Sequence, residues 1–171
     1  MASTPPTPPS RPPPRLLLAA TARKAIFSHA REGLRADDGP REVCGVLVGE
    51  RTGGRADGGS DEGDGNADGA PDRVTDVRRV PNVAADPRTR YELDPEVTLS
   101  AIESVEAAGD DVVGFYHSHP ESRARPSATD RREATWEGYV YLVVSPARDE
   151  LGAWRWTGER FEALDVESAQ P

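Results

Sequence analysis

Apolar and polar positions divide the chain into short segments of two periodicities. Leu16 to Leu18 form a brief apolar run that predicts a first strand. From Thr21 onward, Ala22, Ile26, Ala30 and Leu34 recur every fourth residue, the stripe of an amphipathic helix. That helix stops at the breaker cluster Asp37-Asp38-Gly39-Pro40. The continuous apolar run "EVCGVLVGE" (42–50) predicts a buried strand, and "RVTDVRRVPNV" (73–83) alternates as a second. A second helix opens on Asp94-Pro95-Glu96: a capping side chain, a proline at the first helical position and an acid in the first turn. Its apolar stripe is Val97, Ala101, Val105 and Ala108, and Gly109 closes it. "DVVGFYH" (111–117) reads as a strand, Ser127 to Asp130 open a short helix ending near Gly138, and "YVYLVVS" (139–145) is another buried strand. "LGAWRW" and "FEALDV", joined through Thr157-Gly158, form a closing hairpin. Strands and helices interleave around one sheet, so the prediction is an α/β domain over residues 15–166 with a mixed β-sheet flanked by helices.

Two segments fall outside this pattern. Residues 1–14 are rich in Pro, Ser and Thr and predict an extended, disordered tail. Residues 51–72 are mostly Gly and Asp with hardly a large apolar side chain, which predicts a flexible insert between two strands. Its Asp-Gly repeats do not match the spacing of a twelve-residue calcium loop.

Charge removes whole classes of partner. The formal net charge of the 171-residue chain is −9, a surface that repels nucleic acid and anionic membranes. Lys24 is the only lysine among many arginines and acids, a composition suited to a high-salt cytoplasm. Cys44 is the only cysteine, which excludes an intrachain disulfide and a multi-cysteine zinc site. No apolar run approaches the length of a membrane span, and the expectation is a cytoplasmic protein.

The candidate chemistry lies in "GFYHSHPESRARPSATD" (114–130). His117 and His119 stand at i and i+2 at the end of a predicted strand, so both imidazoles point to one side. Asp130, after a loop long enough to fold back, can supply a third ligand. Two nitrogens, one carboxylate oxygen and an open position make the pattern of a catalytic zinc. The same triad also describes a non-haem iron oxygenase. Plainer readings exist for each part: two solvated histidines at a strand end, and Ser127 with Asp130 as a helix-capping pair. His29 reads as a packing or surface histidine, Cys44 as a small buried residue, Trp154 and Trp156 as packing aromatics, and Trp136 as a helix-end core aromatic or a residue lining the pocket. Arg123 and Arg125 read as solvated loop arginines or as steering charges for an acidic partner.

Taken together, Glu42 ahead of an apolar strand, then His117-Ser118-His119-Pro120, then Ser127-x-x-Asp130, resemble the JAMM (MPN+, Mov34-type) metalloprotease motif. "REVCGVLVGE", "GFYHSHP" and "WRWTGERF" extend the similarity over most of residues 15–165. Within that family the similarity points to the desampylases of halophilic archaea. The resemblance implies a single MPN/JAB-like domain and one Zn²⁺ per chain, held by His117, His119 and Asp130. It implies Glu42 as the general base and acid, and Ser127 as the hydroxyl donor to the oxyanion. The implied substrates are isopeptide conjugates of ubiquitin-like small archaeal modifier proteins, and possibly linear fusions. The loop 120–126 and the region 81–92 are expected as groove walls, with the modifier's extended tail adding to a sheet edge. The same motif also fits a hydrolase acting on a sulfur-carrier-protein adduct, such as a carrier–cysteine conjugate.

Overall fold

The computed structural model describes residues 14–52 and 70–169. The tail expected over residues 1–14, apart from Pro14, whose carbonyl accepts the Asp165 N–H at 2.9 Å, and the core of the Gly/Asp insert, including its Asp-Gly repeats, lie outside the described residues. The insert's C-terminal boundary falls earlier than its composition suggests, because Asp72 is the first residue of a strand and is buried against Arg155.

The elements run β1 (Arg15–Leu18), α1 (Ala20–Leu34), β2 (Cys44–Glu50), β3 (Asp72–Val80), α2 (Pro95–Ala107), β4 (Asp111–Ser118), α3 (Ala128–Glu133), β5 (Val140–Ser145), β6 (Glu150–Trp156) and β7 (Phe161–Ser168). Strand order is β1-β3-β2-β4-β5-β6-β7, and β1 pairs in parallel with β7 to close the sheet. β1–β3 and β4–β5 are also parallel, and the remaining pairs are antiparallel. The sheet is therefore mixed, as the sequence predicts, and among the described residues closure gives every strand a neighbour on both sides.

Both faces of the sheet are covered. Ala22, Ile26 and Ala30 of α1 pack with Leu47, Val113, Tyr116 and Leu142. Val105 of α2 packs with Val46, Val48, Val112 and Phe115, and Ala101 and Ile102 close over them. The helical stripes differ from the simplest reading. A strict four-residue repeat drifts around a 3.6-residue helix, so by the last turn of α1 Gly33 rather than Leu34 is buried. At Gly33 an added Cβ would lie 2.7 Å from the Arg41 carbonyl oxygen, so the chain passes there with no room for a side chain. In α2 the buried stripe is set by Thr98, Ala101, Ile102 and Val105, while Val97 is partly exposed. α3 ends at Glu133 instead of near Gly138, and the backbone N–H groups of Thr135 and Trp136 donate to the Tyr141 hydroxyl at 3.2 and 3.1 Å.

One irregularity orients the site. Leu47 pairs with Gly114 but Val48 pairs with Val112, so Val113 is an extra residue, a β-bulge in β4. The bulge resets the pleat: Val112 and Phe115 share the α2 side, and His117, two residues on, follows Phe115. Among the described residues no helix is long and apolar enough to cross a membrane.

Candidate active site

His117 sits near the end of β4, paired with Cys44 on β2 and Val143 on β5. His119 lies just past the strand, but its N–H still donates to the Val144 carbonyl at 2.8 Å. The backbone therefore stays extended and both imidazoles face one way. Ser118 points to the other side, where its hydroxyl oxygen accepts the Val43 N–H at 2.9 Å. That bond ties the end of β4 to the segment carrying Glu42. Asp130 arrives on the first turn of α3 through a complete capping box: its N–H donates to Ser127 Oγ at 3.1 Å, and its Oδ2 accepts the Ser127 N–H at 2.6 Å.

The three side chains converge. His117 Nε2 and His119 Nε2 are 3.2 Å apart, and each lies 3.2–3.3 Å from Asp130 Oδ2. His119 Nδ1–H donates to the Arg123 carbonyl at 2.9 Å, which places its lone pair on Nε2. Lone pairs thus meet in a buried space, an arrangement that only a proton or a cation reconciles. The dimensions suit a metal: bonds of roughly 2.0–2.1 Å in a tetrahedron give edges of about 3.3 Å. His117, His119 and Asp130, all buried, could hold such an ion. Tyr91 stacks on the His117 ring with centroids 4.1 Å apart and planes 17° from parallel, fixing the imidazole from its free face.

Electrostatics divides the group. Burial lowers the His117 pKa. It would lower that of His119 too, but the hydrogen bonds to Asp130 and the Arg123 carbonyl raise it. Burial acts to raise Asp130, and the two imidazoles outweigh it, holding the carboxyl well below the usual carboxylate range. Glu42 behaves oppositely. It is 5% exposed, its Oε2 has no hydrogen-bond partner among the described residues, and desolvation pushes its pKa up to about 8. A carboxyl poised near neutrality beside three metal-type ligands can exchange protons at working pH.

Glu42, His119 and Ser127 line one cleft of about 360 Å³. Its walls come from Arg88 and Thr89 on one side and Pro120, Glu121 and Ser122 on the other, within the two segments expected as groove walls. Every predicted site residue is therefore at or around one place. Two functional neighbours carry no advance signal: Tyr91, distant in sequence from His117, and the Arg123 carbonyl, which orients His119 while its side chain stays exposed. His29 is a packing residue, hydrogen-bonded through Nδ1 to the Tyr116 hydroxyl at 2.8 Å. The buried Cys44 thiol is pushed up to about 12 by desolvation and is no nucleophile. Trp136 departs from a core role: it is 41% exposed and lines a second cleft with Tyr91, Leu93, Phe115 and Tyr141. It stays outside the core because α3 stops before reaching it.

The family of prokaryotic homologues of the JAB domain matches residues 20–157. The desampylase of Haloferax volcanii is 53% identical over 152 residues, covering 89% of this chain and 95% of that protein. The CysO-cysteine peptidase of Mycobacterium tuberculosis is 33% identical over 146 residues, covering 82% of each chain. A protein of Desulfitobacterium hafniense solved in solution shares the fold with a TM-score of 0.70 at 26% identity, covering 91% of this chain and 94% of that one. With the matched region running from the start of α1 to the end of β6 and enclosing the whole cleft, the chain belongs to the prokaryotic JAB family.

Proposed function

We propose that this chain is a zinc-dependent isopeptidase of the desampylase type. Its substrate bond joins the C-terminal glycine of a ubiquitin-like small archaeal modifier to a lysine ε-amine of the target. The observation that carries this reading is the convergence of His117, His119 and Asp130 beside Glu42 and Ser127 in one cleft. The desampylase of Haloferax volcanii, similar over nearly its full length, supplies the substrate class.

His117 and His119 through Nε2, and Asp130 through Oδ2, would hold the ion. When bound, zinc supplies Lewis acidity, making water ionisable near neutral pH and polarising a carbonyl. The remaining work belongs to the chain. Glu42 accepts the proton of the attacking water at its carboxylate. The water oxygen adds to the glycine carbonyl carbon, the C–N bond breaks, and Glu42 returns the proton to the departing lysine nitrogen. Ser127 Oγ already accepts the Asp130 N–H, so its own hydrogen is free to donate to the carbonyl oxygen as charge develops there. Tyr91 and the Arg123 carbonyl keep the two imidazoles oriented.

A second reading, hydrolysis of a carrier–cysteine adduct, is favoured by the similarity to the CysO-cysteine peptidase. The higher identity to the desampylase favours the first. Membership of the JAB family speaks against the iron-oxygenase alternative.

The test is cleavage of a small-modifier isopeptide conjugate in molar salt by wild type, Glu42→Ala and chelator-treated enzyme, with a carrier–cysteine adduct in parallel. Cleavage of the conjugate, lost in both treated samples and restored by zinc only to the chelated one, is expected. Cleavage of the cysteine adduct alone would overturn the substrate assignment.

A further inference from the structure

The loop 81–93 between β3 and α2 contains no helix or strand, yet it is closed at its neck. Asn82 and Leu93 form an isolated bridge, the Val83 N–H donates to the Glu92 carbonyl at 2.9 Å, and the Asp94 N–H donates to the Pro81 carbonyl at 3.1 Å. The Asn82 side chain uses its hydrogen-bonding capacity at this neck in full. Its Oδ1 accepts the Ala84 N–H at 3.1 Å and the Glu92 N–H at 2.9 Å. Its amide nitrogen donates to the Arg90 carbonyl at 3.0 Å and to the Glu42 carbonyl at 3.0 Å. The first three bonds close the loop on itself. The fourth leaves the loop and serves another segment.

Glu42 needs that bond. It precedes β2, whose ladder begins at Cys44; β4 holds the next residue, Val43, through Ser118, but the N–H and carbonyl of Glu42 itself have no partner among the described residues of the sheet. The loop does so from both sides: the Glu42 N–H donates to the Pro87 carbonyl at 2.7 Å, and the Glu42 carbonyl accepts from Asn82. We infer that Asn82 is a positioning residue for Glu42, fixing through the loop neck where that carboxylate stands in the cleft. The inference rests on the reading of Glu42 as the proton carrier.

The experiment is a double-mutant cycle of wild type, Asn82→Ala, Glu42→Gln and the double variant. Single-turnover cleavage of the isopeptide conjugate is measured at equal zinc content, with hydrogen exchange of the metal-free proteins. Displacing a catalytic group by about 1 Å costs on the order of 10²-fold. Asn82→Ala is therefore expected to lower kcat by roughly 10- to 100-fold with little change in KM. In the Glu42→Gln background the same change should cost nothing further, since the group it positions is already gone. Exchange should quicken at 41–44 and 82–92 but not along β4. Asn82→Asp keeps the acceptor oxygens and the volume but loses both donated bonds, so it should behave like Asn82→Ala and stands in if the latter fails to fold. Losses that multiply in the double variant, or unchanged exchange at 41–44, would overturn the inference. If wild type cleaves no conjugate, the isopeptidase reading falls, and the exchange comparison alone decides on Asn82.

Discussion

Glu42 offers a measurement of the site's electrostatics that requires no substrate. In the folded, metal-free protein its carboxyl titrates near 8, against an ordinary 4.5, because burial penalises the anion. The folded state therefore holds a proton between those values that the unfolded chain has released. Stability falls as pH rises wherever the native state binds more protons, so this contribution is fully present below about 4.5 and is lost as pH climbs through about 8. At 1.36 kcal/mol per unit of pH, the full interval corresponds to about 5 kcal/mol. Integrated between pH 5 and pH 9 it is about 4 kcal/mol. Glu42→Gln preserves shape and cannot titrate. The chelated variant should match chelated wild type within about 1 kcal/mol at pH 5 and exceed it by about 4 kcal/mol more at pH 9. Urea unfolding at constant salt reads this directly: with a slope of about 2 kcal/mol per molar, the midpoints should separate by about 2 M across that range. Zinc favours the carboxylate and should shrink the separation. Parallel midpoints from pH 5 to pH 9 would refute the claim that Glu42 is a desolvated acid.

Three further outcomes follow from the site. Tyr91→Ala removes the ring stacked on His117 and should weaken zinc binding about 10-fold by chelator competition, while Tyr91→Phe should retain it. Ser127→Ala should cost about 1 kcal/mol of stability through the lost cap, seen in urea unfolding, and 10²–10³-fold in cleavage rate through the lost oxyanion donor. The Cys44 thiol, buried and pushed up to about 12, should resist alkylation in the native protein, so iodoacetamide should leave cleavage intact where a chelator abolishes it.

The five candidate site residues, which the fold brings together, stand out in the sequence because their signals are local: an i, i+2 histidine pair at a strand end, a serine–aspartate capping spacing and an acid before an apolar run. Most elements were legible for the same reason. What escaped depends on distant partners. Closure of the sheet rests on β1 pairing with β7, where Leu16 meets Val166 from the far end of the chain, and no local pattern encodes that meeting. Of the α2 stripe Val97, Ala101, Val105 and Ala108, Ala101 and Val105 pack on the sheet, while Val97 and Ala108 are exposed and Thr98 and Ile102 take inward positions. Trp136 reads as a core residue only if it ends a helix, yet α3 stops at Glu133 and the Tyr141 hydroxyl takes the next backbone N–H groups. The strand predicted over 73–83 ends at Val80, which leaves Asn82 in the loop, and within the expected groove wall 81–92 nothing in the sequence singles out Asn82 or Tyr91. Their roles exist only once the loop folds against Glu42 and His117.

The spacing Ser127-x-x-Asp130 builds a helix cap, and the same geometry is compatible with the catalytic and metal-binding roles proposed for the two side chains. α3 spans six residues, too short to persist without outside support. Its capping box supplies part of that support, and the same bonds aim the functional atoms. Accepting the Ser127 N–H occupies one lone-pair direction of Asp130 Oδ2 and holds that oxygen facing both histidine nitrogens, with a second direction left for a cation. Accepting the Asp130 N–H occupies Ser127 Oγ from the helix side and leaves its hydrogen for the cleft. Asn, Asp or Thr at the first position could also cap the helix. A hydroxyl at the first position and a carboxylate at the fourth cap it and at the same time present a donor and an anion to the same small volume.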